Sequence, residues 1–261
     1  MVADSWDPDQ YHRFRNERSQ PFFDLLGLVE RDVDKPRVAD LGCGTGELTA
    51  DAHASLAARE TIGVDNSPTM LASAAKIDVD GLNFRSGDLA TFSDAEPFDV
   101  IISNAALHWV SDHERVLGLW RDALGESGQL AVQMPTNADH PSHVLARAVA
   151  EEEPFASAFE GPPPQDPVLN VLPPEQYASM LDRLGFARQH VRLQVYPHRL
   201  PSTSDVVEWV KGTSLTRFES PLSPEMYAEF LDRYRARLLE AVGHHRPYLY
   251  TFKRILFWAR L

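Results

Sequence analysis

The run Val38-Ala39-Asp40-Leu41-Gly42-Cys43-Gly44-Thr45-Gly46 decides the fold. It reads as a short buried strand that breaks into a glycine-rich turn and then opens a helix. Glycine has no Cβ, so such a turn brings backbone N–H groups and a helix N-terminus close to a nucleotide-like ligand. A dinucleotide fingerprint requires G-x-G-x-x-G/A, and the position for its last small residue holds Glu47. An acid, Asp40, stands two positions before the first glycine instead.

Reading outward, Thr61-Ile62-Gly63-Val64-Asp65 is a second apolar strand ending in a carboxylate, 19 residues past Gly46. A carboxylate there can accept from both hydroxyls of a ribose. Asn66 follows, then Ser67 as a helix N-cap with Pro68 in the first turn. Phe84 to Leu89 is a third strand end carrying a second acid, Asp88, and Phe98 to Ala105 is a fourth, passing through Asn104. Gly128 to Met134 is the fifth strand. Helices fit residues 47–58, 67–76, 112–124 and 174–184, and this alternation implies a mostly parallel sheet with helices on both faces. Phe22, Leu25, Leu26 and Val29 mark an earlier amphipathic helix with Pro21 at its start. Residues 140–153 read as helical, whereas 154–174 holds seven prolines and no periodicity, a loop suited to be a flap. Gln189 to Leu200 is a strand, 204–242 a helical insertion, and Phe252 to Leu261 a closing apolar strand.

Composition narrows the function. The net charge of −13 argues against a general nucleic-acid surface. It is unevenly spread: residues 1–182 hold 12 Lys and Arg against 31 Asp and Glu, whereas residues 183–261 hold 13 against 7. An acidic first part suits a cationic ligand, and a basic last part suits an anionic substrate, although Arg233, Arg235 and Arg237 read as a solvated helix face. No apolar run reaches membrane-span length and no signal pattern opens the chain. The single Cys43 excludes an internal disulfide, fits a cytoplasmic protein, and reads as a small space-filler between two glycines. His140 with His143, and His244 with His245, lack the further ligands of a metal site, so none is assigned.

The pattern acid-x-G-x-G-x-G, with acids at the second and third strand ends, resembles the class I S-adenosylmethionine-dependent methyltransferases. The resemblance implies a Rossmann-like α/β fold: a seven-stranded, mostly parallel sheet, its last strand antiparallel, with a helical insertion. It implies S-adenosyl-L-methionine as cofactor, with Asp88 receiving the adenine amino group and the fourth strand end beneath the methionine part. The cofactor set is then Tyr11, Arg18, Asp40, Gly42, Gly44, Asp65, Asn66, Asp88, Leu89 and Asn104.

Further motifs resemble the trans-aconitate methyltransferases in particular. They are Trp6-Asp7-Pro8-Asp9-Gln10-Tyr11 with Phe14, Arg18 and Pro21, and Asn104-Ala105-Ala106-Leu107-His108-Trp109-Val110 with Asp112-His113. Ala131 to Pro135 with Asn137, Pro141-Ser142-His143, Glu208-Trp209-Val210 and Phe252 to Phe257 extend the match along the chain. Thr45, Glu47 and His108 depart from the family's usual proline, asparagine or histidine, and occasional glutamine. The resemblance implies esterification of a carboxylate on a small polycarboxylic acid, with no general base. His108 and Trp109 would position the reaction, and Gln133, Asn137, Arg199, Lys211, Arg217 and Arg254 would bind the acceptor. Residues 1–30 would form a helical lid in which Arg18 meets the cofactor carboxylate. Residues 31–203 and 243–261 would form the core, and 204–242 the insertion. Trp109 as a core aromatic and His108 as a surface histidine stay open as alternatives. So do another small acid, an acyl-carrier thioester or a secondary metabolite as acceptor, and a cofactor-binding module without turnover.

Overall fold

The computed structural model describes residues 15–261, with side chains from Ser19 onward. Helix α1 (Arg15–Leu26) leads into β1 (Arg37–Leu41), α2 (Glu47–Leu56), β2 (Glu60–Asp65), α3 (Pro68–Ala74) and β3 (Leu82–Ser86). There follow β4 (Phe98–Asn104), α4 (His113–Asp122) and β5 (Leu124–Pro135). The remainder supplies α5 (Pro141–Ala150), α6 (Phe155–Ala158), α7 (Pro174–Arg183), β6 (Arg188–Leu200), α8 (Asp205–Lys211), α9 (Thr216–Glu219), α10 (Pro224–Val242) and β7 (Tyr248–Arg260).

The strands form one seven-stranded sheet in the order β3-β2-β1-β4-β5-β7-β6. The neighbouring pairs among β1 to β5 are parallel, and β7 runs antiparallel to β5, as the sequence predicts. Every residue of β1 is buried, Arg37 and Asp40 included, as expected of a central strand covered on both faces. The strand order reverses between β1 and β4. In an open α/β sheet, ligands bind outside the carboxyl ends of the strands at such a switch point.

The chain divides into two compact units. The sheet unit comprises Arg18–Pro135, Asn170–Gln194 and Arg254–Leu261. Its core gathers Leu41, Ile101, Trp120, Leu130, Tyr177 and Phe257, and the buried Trp120 donates its indole N–H to the Leu89 carbonyl at 2.8 Å. The helical unit includes Thr136–Leu169 and Val195–Lys253. Its core is aromatic, with Phe155, Trp209, Phe218, Phe230, Tyr234 and Tyr250 packed together. Among the described residues no helix is long and apolar enough to cross a membrane.

One element differs from its expectation in an instructive way. Pro21 lies inside α1 rather than at its start. An interior proline costs about 3 kcal/mol. Phe22, Leu25 and Leu26 are 0–3% exposed, and burying each contributes roughly 1.5–3 kcal/mol, so packing outweighs the lost bond. The proline-rich stretch also departs from a plain loop, because α6 and a 3-10 turn over Pro167–Asn170 interrupt it. Phe155, Phe159 and Val168 from that stretch are buried.

Candidate active site

The carboxyl end of β1 turns through Gly42 (φ 85°) and Gly44 (φ 56°), both in the left-handed region open to glycine. The N–H groups of Gly42 and Cys43 both reach the Val64 carbonyl, at 2.8 and 3.1 Å, and tie the loop to β2. A Cβ added to Gly42 would fall 2.1 Å from the Cβ of Ala106, so the loop after β4 lies directly against this turn. A Cβ on Gly44 meets nothing within 4 Å. Gly42 is required by packing, and Gly44 stands over open space. Cys43 is buried, and that burial pushes its thiol up, consistent with a space-filler rather than a nucleophile.

Two acids organise the loop. Asp65 accepts from the Gly44 N–H at 2.8 Å with one oxygen and from the Ser67 N–H at 2.9 Å with the other. Ser67 caps α3 through the Met70 N–H at 3.2 Å with Pro68 following, as the sequence predicts, and Asn66 is exposed beside it. Asp40 is 3% exposed. Its Oδ2 accepts from the Thr49 hydroxyl at 2.6 Å, while its Oδ1 is buried with no partner among the described residues. Burial raises its pKa to about 6, against the lowering effect of the Thr49 bond and with help from the Asp65 charge. Asp88 is exposed and caps a 3-10 turn over Leu89–Thr91, accepting from the Ala90 N–H at 2.8 Å. The Leu89 side chain lies 3.9 Å from where a Cβ on Gly42 would stand, so it borders the same turn.

At the end of β4, Asn104 pairs in register with Gln133 of β5, and the Ala105 N–H donates to the Gln133 carbonyl at 2.9 Å. Ala105 is left-handed (φ 52°), an uncommon state for alanine, and swings the chain into a 3-10 turn over Leu107–Trp109. His108 is buried and Trp109 is 49% exposed, which reverses both bland alternatives for this pair. Their rings lie 5.4 Å apart, and Asn170 donates its side-chain N–H to the His108 carbonyl at 3.0 Å. Gln133 is fully buried; its Oε1 accepts from the Arg254 guanidinium at 3.3 Å, and its Nε2 has no partner among the described residues. Arg254 is 7% exposed, and the Asn104 Oδ1 also lacks a partner there. The half-buried Asn104 and the buried Gln133 and Arg254 thus place polar side chains on three neighbouring strands, β4, β5 and β7.

Tyr11 lies outside the described residues, and Arg18 is described only as a backbone position in α1. In the helical unit, Asn137 is fully buried and accepts from the Lys253 backbone N–H at 3.1 Å. Arg199 is exposed on β6 and Lys211 ends α8 half-buried. Arg217 is engaged internally: it faces Asp166 at 3.1 Å, the Ser214 carbonyl and hydroxyl, and the Pro164 carbonyl at 3.2 Å. Asp166 also accepts from His143 and Ser214, both at 2.8 Å. Sequence reasoning missed this network, and it missed the Thr49 bond to Asp40. Asp166 lies 23 residues from His143 and 48 from Ser214, beyond any local pattern.

Comparison with known proteins identifies the family. A family model described as a methyltransferase domain matches residues 32–162. The trans-aconitate 2-methyltransferase of Deinococcus radiodurans is 40% identical over 98% of this chain and 98% of its own length. Those of Methylobacterium radiotolerans and Streptomyces avermitilis are 40% and 37% identical over 88% and 96% of this chain, and 87% and 95% of theirs. Among solved structures, the YcgJ protein from Bacillus subtilis aligns with a TM-score of 0.59 at 16% identity, over 92% of this chain and 97% of that one. An S-adenosylmethionine dependent methyltransferase from Mesorhizobium loti aligns at 0.52 and 22% identity, over 92% and 96%. Likenesses so distant in sequence report the fold, whereas the near-full-length identity to the curated relatives reports the family. The chain belongs to the trans-aconitate 2-methyltransferase family of class I S-adenosylmethionine-dependent methyltransferases.

Proposed function

We propose that this enzyme esterifies a carboxylate of a small polycarboxylic acid, with trans-aconitate, the acceptor in its relatives' names, as the first to test. The observation that carries the reading is the buried Arg254 guanidinium beside the fully buried Gln133 amide at the end of β5. A planar cation with an adjacent N–H donor matches a carboxylate, because the fork binds both oxygens.

The residues of the glycine loop fit the methyl donor. Asp40 has an unused buried oxygen that calls for a donor N–H, and Gly44 stands over open space. Asp65 keeps lone pairs beyond its two backbone bonds for ribose hydroxyls, and the exposed Asp88 is free to accept from a base edge. When bound, S-adenosylmethionine supplies an electrophilic methyl on a sulfonium.

The chain's own part is positioning. Carboxylates are ionised at neutral pH, so no residue is assigned as general base. Gln133 and Arg254 orient the acceptor, and Asn104 holds the neighbouring strand end. His108 and the half-exposed Trp109 shield the site from water, which leaves the nucleophilic oxygen less solvated. The acceptor is a free small anion of the cytoplasm rather than a nucleic acid, in keeping with a chain of net charge −13. The test is ester formation by the purified protein with S-adenosylmethionine and trans-aconitate, cis-aconitate, isocitrate and malonyl thioesters in parallel. Transfer to a thioester alone would replace the reading.

A further inference from the structure

Thr49 lies on α2, nine residues after Asp40, and is fully buried. Threonine is a mediocre helix former, and a buried hydroxyl without a partner is costly. Its partner is the Asp40 Oδ2, at 2.6 Å. That bond occupies one carboxylate oxygen and leaves the other, Oδ1, buried and without a partner among the described residues. The neighbours acting on this carboxylate are Asp65 at the end of β2, whose charge opposes its ionisation, the neutral Cys43 of the loop, and Thr49 from α2. The loop after β4 presents Ala106, which is apolar. The Thr49 hydroxyl is therefore the group that favours the charged form.

We propose that Thr49 is a positioning residue of the methyl-donor site: its hydroxyl holds Asp40 with Oδ1 turned to the ligand's ammonium group and sets the pH range over which the donor binds. This rests on assigning the glycine loop to S-adenosylmethionine. Burial pushes Asp40 up to about 6, so the free enzyme holds a proton there below that pH. An ammonium ligand then has to displace that proton, and affinity falls about tenfold per pH unit on the acid side. Losing one hydrogen bond to the ionised form moves the midpoint upward by about one pH unit.

The experiment is calorimetric titration of S-adenosylhomocysteine, which carries the same ammonium group, into wild type, Thr49→Val, Thr49→Ser and Asp40→Asn between pH 5 and pH 9. Each titration is run in two buffers of different ionisation enthalpy to count protons released. Wild type and Thr49→Ser should bind with a step near pH 6 and release a proton below it. Thr49→Val should bind more weakly and show the step near pH 7. Asp40→Asn, which cannot titrate, should show no step. A Thr49→Val step at the wild-type pH overturns the proposal, and a loss of affinity uniform across pH with the step unmoved is that outcome, the mark of a merely structural role. Should Thr49→Val fail to fold by thermal melting, a persistent step in Asp40→Asn overturns it equally. Absence of binding by wild type at every pH would instead sink the assignment of the loop.

Discussion

Alanine at Gly42 and alanine at Gly44 should damage different properties, though the two residues lie two apart in one turn. Both positions have positive φ, at 85° and 56°, so either alanine costs roughly 1–2 kcal/mol in backbone strain. At Gly44 that is nearly the whole cost, because the added Cβ finds nothing within 4 Å. At Gly42 the Cβ would come 2.1 Å from the Ala106 Cβ, where ordinary contact begins at 3.4 Å. The turn or the loop after β4 must yield by more than 1 Å, and Gly42 N–H is bonded to Val64. Overpacking of this kind costs about 1–3 kcal/mol more, so Gly42→Ala should lose roughly 2–5 kcal/mol in all. Urea unfolding should show Gly44→Ala slightly destabilised and Gly42→Ala severely so. Calorimetry with S-adenosylhomocysteine should show the reverse emphasis: Gly44→Ala, though folded, should bind at least tenfold more weakly, about 1.4 kcal/mol, because its methyl fills the ligand's space. Wild-type affinity in Gly44→Ala would refute the placement of the donor over this glycine. Equal stability of the two variants would refute the packing argument.

The other predictions are briefer. Arg254→Met should raise the KM for the polycarboxylate acceptor tenfold or more while the Kd for S-adenosylhomocysteine stays within twofold; parallel losses would show a fold defect instead. Arg217→Met should lower stability by about 3–5 kcal/mol, read as a fall in Tm, since it breaks a buried pair with Asp166 (side chains 9% and 7% exposed). His140 caps α5 by accepting from the Ser142 N–H at 3.1 Å, and burial lowers its pKa to about 4. The unfolded chain takes up that proton near pH 6.5, so wild type should lose about 1.4 kcal/mol per pH unit as pH falls from there toward 4. His140→Asn keeps a capping oxygen without the titration and should remove that part of the slope in unfolding measurements across pH 4–7.

Much of this was legible in the sequence because it rests on local rules. β1 reads as a strand because all five of its side chains are buried, and α3 reads from the Ser67 cap and Pro68. Asn104 and Gln133 are legible as candidates because they stand at or near the ends of β4 and β5, and Arg254 as a basic residue of the last strand, but their pairing is not. Register across β4, β5 and β7 depends on contacts between residues 29 and more than 100 positions apart. Arg217 illustrates the opposite difficulty. A basic residue in an insertion looks the same in sequence whether it meets a ligand or an internal acid. Here burial and a carboxylate engage it: although burial pushes Asp166 up, His143, Arg217 and Ser214 together hold it well below the usual carboxylate range. Thr49 was missed because a lone threonine inside a helix carries no signal until the acid beside it is seen.

The loop's selectivity follows from charge more than from glycine. A glycine turn at a helix N-terminus favours anions in general, which is how dinucleotide folds hold pyrophosphate. In this chain the turn is set among acids: Asp40 below it, Asp65 bonded to the Gly44 N–H, and Glu47 in the first turn of α2. The N–H that might have met a phosphate is already held by Asp65, so the helix end is neutralised from within. A pyrophosphate there would face like charges in a partly desolvated turn, where each such contact costs several kcal/mol. A ligand bearing a sulfonium and an ammonium would meet the opposite field, and on the proposed placement its ammonium would give the buried Asp40 oxygen a donor. The two carboxylates also divide the work. Asp65 holds the backbone N–H groups of Gly44 and Ser67 and so fixes the loop's shape, and its charge raises the cost of ionising Asp40. On the proposed placement of the donor, a cationic ligand would offset that cost.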